Sequence, residues 1–150
     1  MKTVIPQALR LEHEELHAQL EAAREAIGRT GDAARHVAQL LQPHFVKEEE
    51  FALPPLGVLV QLETGLPAPE EARQIIALCD RLKAEMPQML QEHKGIVAAL
   101  MDLVRAAKTE RKQEFMDFAE RLMLHAQTEE EIFYPTSLLI GEYLKLRLER

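Results

Sequence analysis

A chain of 150 residues is read as one domain, residues 1–150, with room for a hydrophobic core of its own. Its net charge of −7 mixes acids among bases, which excludes the basic footprint of a nucleic-acid binder, and no apolar run approaches the roughly 20 residues of a membrane span. Cys79 is the only cysteine, so an internal disulfide and a cysteine-based metal site are excluded; Met1 to Glu15 holds no apolar leader, which makes the cytoplasm the expected location.

In chain order, Met1 to Gln7 reads as a leader arm, and Pro6 marks the start of a first helix that runs to about Gly28. Gly28-Arg29-Thr30-Gly31-Asp32 is a turn in which Asp32 can cap the second helix. That helix carries Pro43, which removes one backbone hydrogen bond and predicts a kink, and it ends near Pro54-Pro55. Leu56 to Leu66 packs as a short helix or ordered loop. A connecting helix starts at Leu66-Pro67-Ala68-Pro69-Glu70-Glu71, with proline and acids in its first turn, and reaches Glu85, after which Pro87 kinks or restarts it. The next helix runs to about Lys108, and the last long one spans roughly Glu110 to Tyr134, stopping at Pro135. Leu138 to Arg150 is a final amphipathic segment that can cover one end of the bundle or a neighbouring copy, which allows a homodimer. No stretch alternates as a strand does.

The helical period places polar residues where a core is expected. Leu9, His13, Leu16, Leu20, Ala23 and Ile27 step by four and three, the spacing of one buried face, and adding 80 gives Met89, His93, Ile96, Leu100, Leu103 and Ala107. Val37, Leu41, His44, Glu48 and Phe51 step likewise, and adding 81 gives Phe118, Leu122, His125, Glu129 and Ile132. A short motif, His-x-x-x-Glu-Glu-Glu running on to a proline, therefore occurs twice, at His44 to Pro54 and at His125 to Pro135. The pair Glu12-His13 returns as Glu92-His93. Unpaired, each such polar group costs about 1–3 kcal/mol or more to bury.

Antiparallel helices bring two residues to one level when the turn between them lies midway in sequence. His13 and His44 have their midpoint at Gly28–Arg29, and His93 and His125 have theirs at Thr109, both inside turn sequences. Two equivalent hairpins then bring six side chains to one level of an all-α, up-down-up-down four-helix bundle, with the connecting helix and the C-terminal helical segment added to it. His44 and Glu48 lie about 40° apart around their helix and converge, as do His125 and Glu129; Glu49, Glu50, Glu130 and Glu131 are turned away. Imidazoles with carboxylates and no thiolate suit iron, manganese or zinc, and six donors suit two metals bridged by the glutamates better than one tetrahedral zinc.

Glu-His, Pro-His-x-x-x-Glu-Glu, Glu-His and His-x-x-x-Glu-Glu before a proline, in that order, resemble the hemerythrin HHE cation-binding domain, over about Leu9 to Pro135. The resemblance implies a non-haem di-iron centre (Fe–O–Fe) with His13, His44, Glu48, His93, His125 and Glu129 as ligands, and a vacant position for dioxygen, nitric oxide or peroxide. Oxygen-carrying members have a fifth histidine where this chain has Met89, and an aspartate five residues after the last histidine where this chain has Glu129 at four. This points to oxygen, nitric oxide or oxidative-stress responses over reversible carriage, and to binding or sensing over dedicated catalysis.

Three other readings are distinguishable. His13-Glu14-Glu15-Leu16-His17 satisfies the H-E-x-x-H pattern of a zinc peptidase, but that reading leaves the other five polar core residues unexplained. His17, one turn after His13, is an additional metal-ligand candidate at the flank of the core stripe. A helical interaction module with a purely structural metal is the second alternative, and polar core positions that only pair with one another the third. Tyr134 reads as a packing residue at a helix end, and Met86, Met89, Met116 and Met123 as core filler.

Overall fold

Leu16, Leu20 and Ala23 give helix α1 (Gln7–Arg24) a buried face, and His13 lies on it one turn earlier. The computed structural model describes residues 4–149, so Met1–Thr3 of the expected leader arm and the final Arg150 lie outside the described residues. The helix stops at Arg24 rather than near Gly28, which leaves Ile27 84% exposed and off the face on which its spacing places it. The chain unwinds there to reach Gly28, whose φ of +83° is cheap only for glycine.

Helix α2 (Arg29–Lys47) begins before Asp32, so Asp32 lies in its first turn and pairs with Arg35 instead of capping. The cap comes from the other hairpin. Glu110 accepts hydrogen bonds from the backbone N–H groups of Arg29 (3.2 Å) and Thr30 (2.8 Å) and from the Thr30 hydroxyl. These bonds hold its carboxyl below the usual carboxylate range. Lys112 adds a hydrogen bond to the Ile27 carbonyl, 3.0 Å. A Cβ on Gly28 would run into the Glu110 carboxylate. The two hairpin turns are thus tied together at one end of the molecule.

At the other end, both repeats do something that a 3.6-residue period does not foresee. Helix α2 passes through Pro43 and ends in a single π-helical turn, Glu48–Ala52; α5 (Gln113–Thr128) ends in another, Glu129–Phe133. Each closes with an i→i+5 bond, Leu53 N–H to Glu48 C=O (2.9 Å) and Tyr134 N–H to Glu129 C=O. Proline follows directly in both. Pro54-Pro55 turns the first copy into a 3₁₀ turn (Pro54–Val58) and a four-residue helix, α3 (Leu59–Leu62). The second copy has one proline, at the start of helix α6 (Tyr134–Leu148), where a missing N–H is tolerated. The chain therefore continues as helix and does not stop at Pro135.

Helix α4 (Pro69–Thr109) has 41 residues and a length of about 60 Å. It runs unbroken through Pro87, so the expected connecting helix and third helix are one. Buried residues anchor it on both sides of the proline: Ile75, Cys79 and Leu82 before, Met89, Ile96 and Leu100 after. That packing outweighs one lost backbone hydrogen bond. Helix α1 packs on α2 and α5, α2 on α4, and α4 on α5, which closes a ring of four; α6 packs along α4. Gly141 lets α6 approach closely, since a Cβ there would overlap Cys79.

Two apolar clusters result. One, with Leu16, Leu20, Val37, Leu41, Leu100 and Phe118, lies toward the tied turns. The second, with Phe51, Leu56, Ile75, Leu82, Met89 and Ile140, is built from the segments after the π turns together with α4 and α6. Residues 56–85 thus supply a second core rather than a loose connection. Among the described residues no strand forms, and no helix is long and apolar enough to cross a membrane.

The tie between the turns is testable by urea unfolding. Gly28→Ala should lower stability by about 1–2 kcal/mol through its positive φ, and Glu110→Ala should lower it measurably as a lost cap. Asp32→Ala should stay within about 0.5 kcal/mol. An Asp32→Ala loss as large as that of Glu110→Ala would show that the cap is wrongly assigned.

Candidate metal centre

His13, His44, Glu48, His93, His125 and Glu129 are all buried. Helices α1, α2, α4 and α5 carry one of these four histidines each, and the two glutamates open the two π turns. The structure brings the six together in two groups. His44, Glu48, His93 and Glu129 form one; His13, His125 and Glu129 form the other. Within each group, one donor atom per residue lies within 4.8 Å of the rest. Glu129 belongs to both. Its Oε1 is 3.4 Å from His93 Nε2, while its Oε2 is 3.3 Å from His125 Nε2 and 3.8 Å from His13 Nε2. Glu48 Oε1 is 3.7 Å from His44 Nε2.

Three of the imidazoles are held from outside by carboxylates. His44 Nδ1 is 2.8 Å from Glu92 Oε1, His93 Nδ1 is 2.9 Å from Glu130 Oε1, and His125 Nδ1 bonds Glu12. Burial pushes the Glu92 carboxyl up, but hydrogen bonds from Lys47, His44 and Gln88 outweigh it and hold it at about 2. An ionised carboxylate accepts, so His44 Nδ1 donates and its Nε2 lone pair faces inward, the tautomer that binds a metal. Burial keeps the rings neutral. It lowers His44 to about 4 and also lowers His93 and His125, the last with help from neighbouring His13.

Two carboxylate oxygens at the centre are left without a partner. Glu48 Oε1 and Glu129 Oε2 are buried without any hydrogen-bond partner, and burial pushes the Glu129 carboxyl up to about 7. His13 Nε2 and His125 Nε2 are 3.0 Å apart, a hydrogen bond when one of the two carries its proton. A cation held by these atoms satisfies all of them at once. Neutral imidazole and carboxylate without thiolate fit iron, manganese or zinc.

The remaining residues sort clearly. His17 lies outside both groups; its side chain is 49% exposed and 4.0 Å from Glu21. It lines a cavity of about 500 Å³ together with His13, Phe45, Arg10, Glu14 and Glu49. The histidines of the H-E-x-x-H pattern therefore do not converge on a common donor group. Glu130 is turned away from the interior, as its helical position implies, and from there it holds His93. Glu12 and Glu92 are the acids of the repeated Glu-His pair, each bonded to a histidine of a different helix. The repeat was visible in sequence, but its partners were not. Tyr134, read as helix-end packing, is fully buried in the site: its hydroxyl donates to Glu48 Oε2 at 2.8 Å.

A helical bundle with buried histidine and carboxylate donors facing inward, each histidine-bearing helix supplying one ring, has the chemistry of a cation-binding protein. The chain belongs to the hemerythrin HHE cation-binding domain family, whose model matches residues 4–137. Comparison with curated proteins and with solved structures found no match.

Removing an outer carboxylate should loosen the ring that it holds. Glu12→Ala, Glu92→Ala and Glu130→Ala are each expected to weaken metal binding by about 10–100-fold, measured by chelator competition, while Glu131→Ala leaves it unchanged. Equal losses from Glu130→Ala and Glu131→Ala would remove the outer role of Glu130.

The metal-free protein should also show a defined pH response. His44, His93 and His125 have folded pKa values below the unfolded value of 6.5, so the unfolded chain binds more protons and stability falls as pH drops from 6.5 towards 4. Glu129, raised from 4.5 to about 7, works in the opposite sense, its contribution being lost as pH rises through 7. Three rings outweigh one carboxylate, so unfolding of chelator-treated protein should become easier between pH 6.5 and 4. A flat profile there would mean that the rings are protonated in the fold.

Proposed function

We propose that this chain holds a non-haem di-iron centre in an up-down-up-down four-helix bundle and binds or senses dioxygen, nitric oxide or peroxide. In this reading His13 and His125 would hold one iron and His44, His93 and Glu48 the other, with Glu129 shared between the two groups. The observation that carries it is Glu129, whose two oxygens are turned to different histidine pairs and whose Oε2 has no other partner. Manganese or zinc could satisfy the same donors; the shared carboxylate favours a pair of ions over one.

Bound iron would supply vacant coordination positions and redox chemistry for a small oxygen or nitrogen species. The protein's part is to hold, orient and exclude water. Glu92, Glu130 and Glu12 fix three rings by their Nδ1 atoms, and the two apolar clusters enclose the centre from both ends. Access is supported on one side: cavities are lined by His13 and by His125. Met89, fully buried where oxygen carriers have a further histidine, favours oxidation or sensing over reversible storage. We place the protein in the cytoplasm and allow it to pair with a second copy.

Metal analysis of protein produced with ample iron should give about two ions per chain, and Glu129→Ala should lose most of both. Anaerobic reduction followed by rapid mixing with dioxygen or nitric oxide should change the absorption spectrum. A single tightly held zinc overturns the di-iron reading, and a loaded, reduced protein whose spectrum ignores both gases supports a structural metal instead.

A further inference from the structure

We propose that Tyr134 is an additional protein donor, through its phenolic oxygen, to the metal position formed by His44 and His93. The inference rests on the two-metal reading above and deepens it, because it makes the two positions unequal.

The hydroxyl of a buried tyrosine usually finds one partner at the edge of a core. Tyr134 Oη sits instead among three donor atoms of one group: 2.8 Å from Glu48 Oε2, 3.2 Å from His93 Nε2 and 3.3 Å from His44 Nε2. Neighbouring donors on a six-coordinate ion, with bonds of about 2.1 Å, are about 3.0 Å apart. The phenol oxygen thus keeps the spacing of a ligand from all three.

It is also unable to leave. The ring is fully buried in the second apolar cluster, with its centroid 5.6 Å from that of His93. A cation among His44, His93 and Glu48 meets this oxygen within reach whatever else it binds. A cation held there would displace the phenolic proton to solvent as the oxygen–metal bond forms.

The feature is confined to one half of the repeat. Eighty-one residues before Tyr134 stands Leu53, buried and without a donor atom on its side chain. His13 and His125 border cavities, while His44 and His93 face Tyr134. The tyrosine therefore closes one position and leaves a small exogenous ligand the other.

The chain has only two tyrosines, and Tyr143 accepts a hydrogen bond from Arg147 on α6, outside the site. Protein loaded with ferric iron should show a visible phenolate-to-iron charge-transfer band, with phenolate ring vibrations enhanced in resonance Raman spectra. Tyr143→Phe should keep both and Tyr134→Phe should lose both. Should Tyr134→Phe fail to fold, Tyr143→Phe decides alone, since Tyr134 is then the sole tyrosine. Two irons without phenolate vibrations in that variant overturn the inference and leave the two-metal reading standing. One iron with them keeps the inference and sinks the second metal; a protein that holds no iron overturns both.

Discussion

The carboxylate of Glu129 is the group on which the site depends. It is almost wholly removed from water, one oxygen turned to His93 and the other to His13 and His125. A carboxylate with an unsatisfied buried oxygen costs on the order of 1–3 kcal/mol. The bundle nevertheless directs everything towards this arrangement: a histidine from each of four helices, outer carboxylates behind three of them, and an apolar cluster above and below. A bound cation would complete this arrangement more fully than the proton that Glu129 retains without one.

Much of this was legible in the sequence because the α-helical period is regular up to the glutamates. The spacing of Leu16, Leu20 and Ala23, or of Leu100 and Leu103, puts His13 and His93 inward, and the midpoint rule puts the four histidines at one level. The regularity ends at Glu48 and Glu129. On an α-helix Tyr134 would lie about 140° from Glu129. In a π turn closed by an i→i+5 bond the fifth residue returns over the first, and Tyr134 enters the site. Ile132, assigned inward by period, is 55% exposed, whereas Phe51 at the same place in the other π turn is buried, with Arg81 of α4 4.4 Å from the ring centre.

Other departures have a different origin. Glu110 caps a helix that begins some 80 residues earlier, and nothing local announces such a bond. Pro87 is a helix breaker by local rules, yet burial on both sides of it carries α4 through. Pro135 differs from Pro54 only in standing alone and in falling at the start of a helix. Local chemistry proposes where a chain may turn. Packing across the two hairpins decides whether it does.

The outer residues complete the electrostatics. Glu48 and Glu129 inside, with Glu12, Glu92 and Glu130 behind the rings, place five carboxylates around the centre, and Lys47 is hydrogen-bonded to Glu92. Five carboxylates against one ammonium leave four negative charges, an excess that cations bound there would offset. Glu12 and Glu130 are partly exposed, so water screens their share, while Glu92 is anchored by Lys47 and Gln88. In the metal-free protein the same imbalance is relieved by keeping Glu129 near protonation. Loading the centre would therefore exchange the proton on Glu129 for metal charge. The helices need not move for this, because three of the rings are already held from outside by their Nδ1 atoms with Nε2 turned inward.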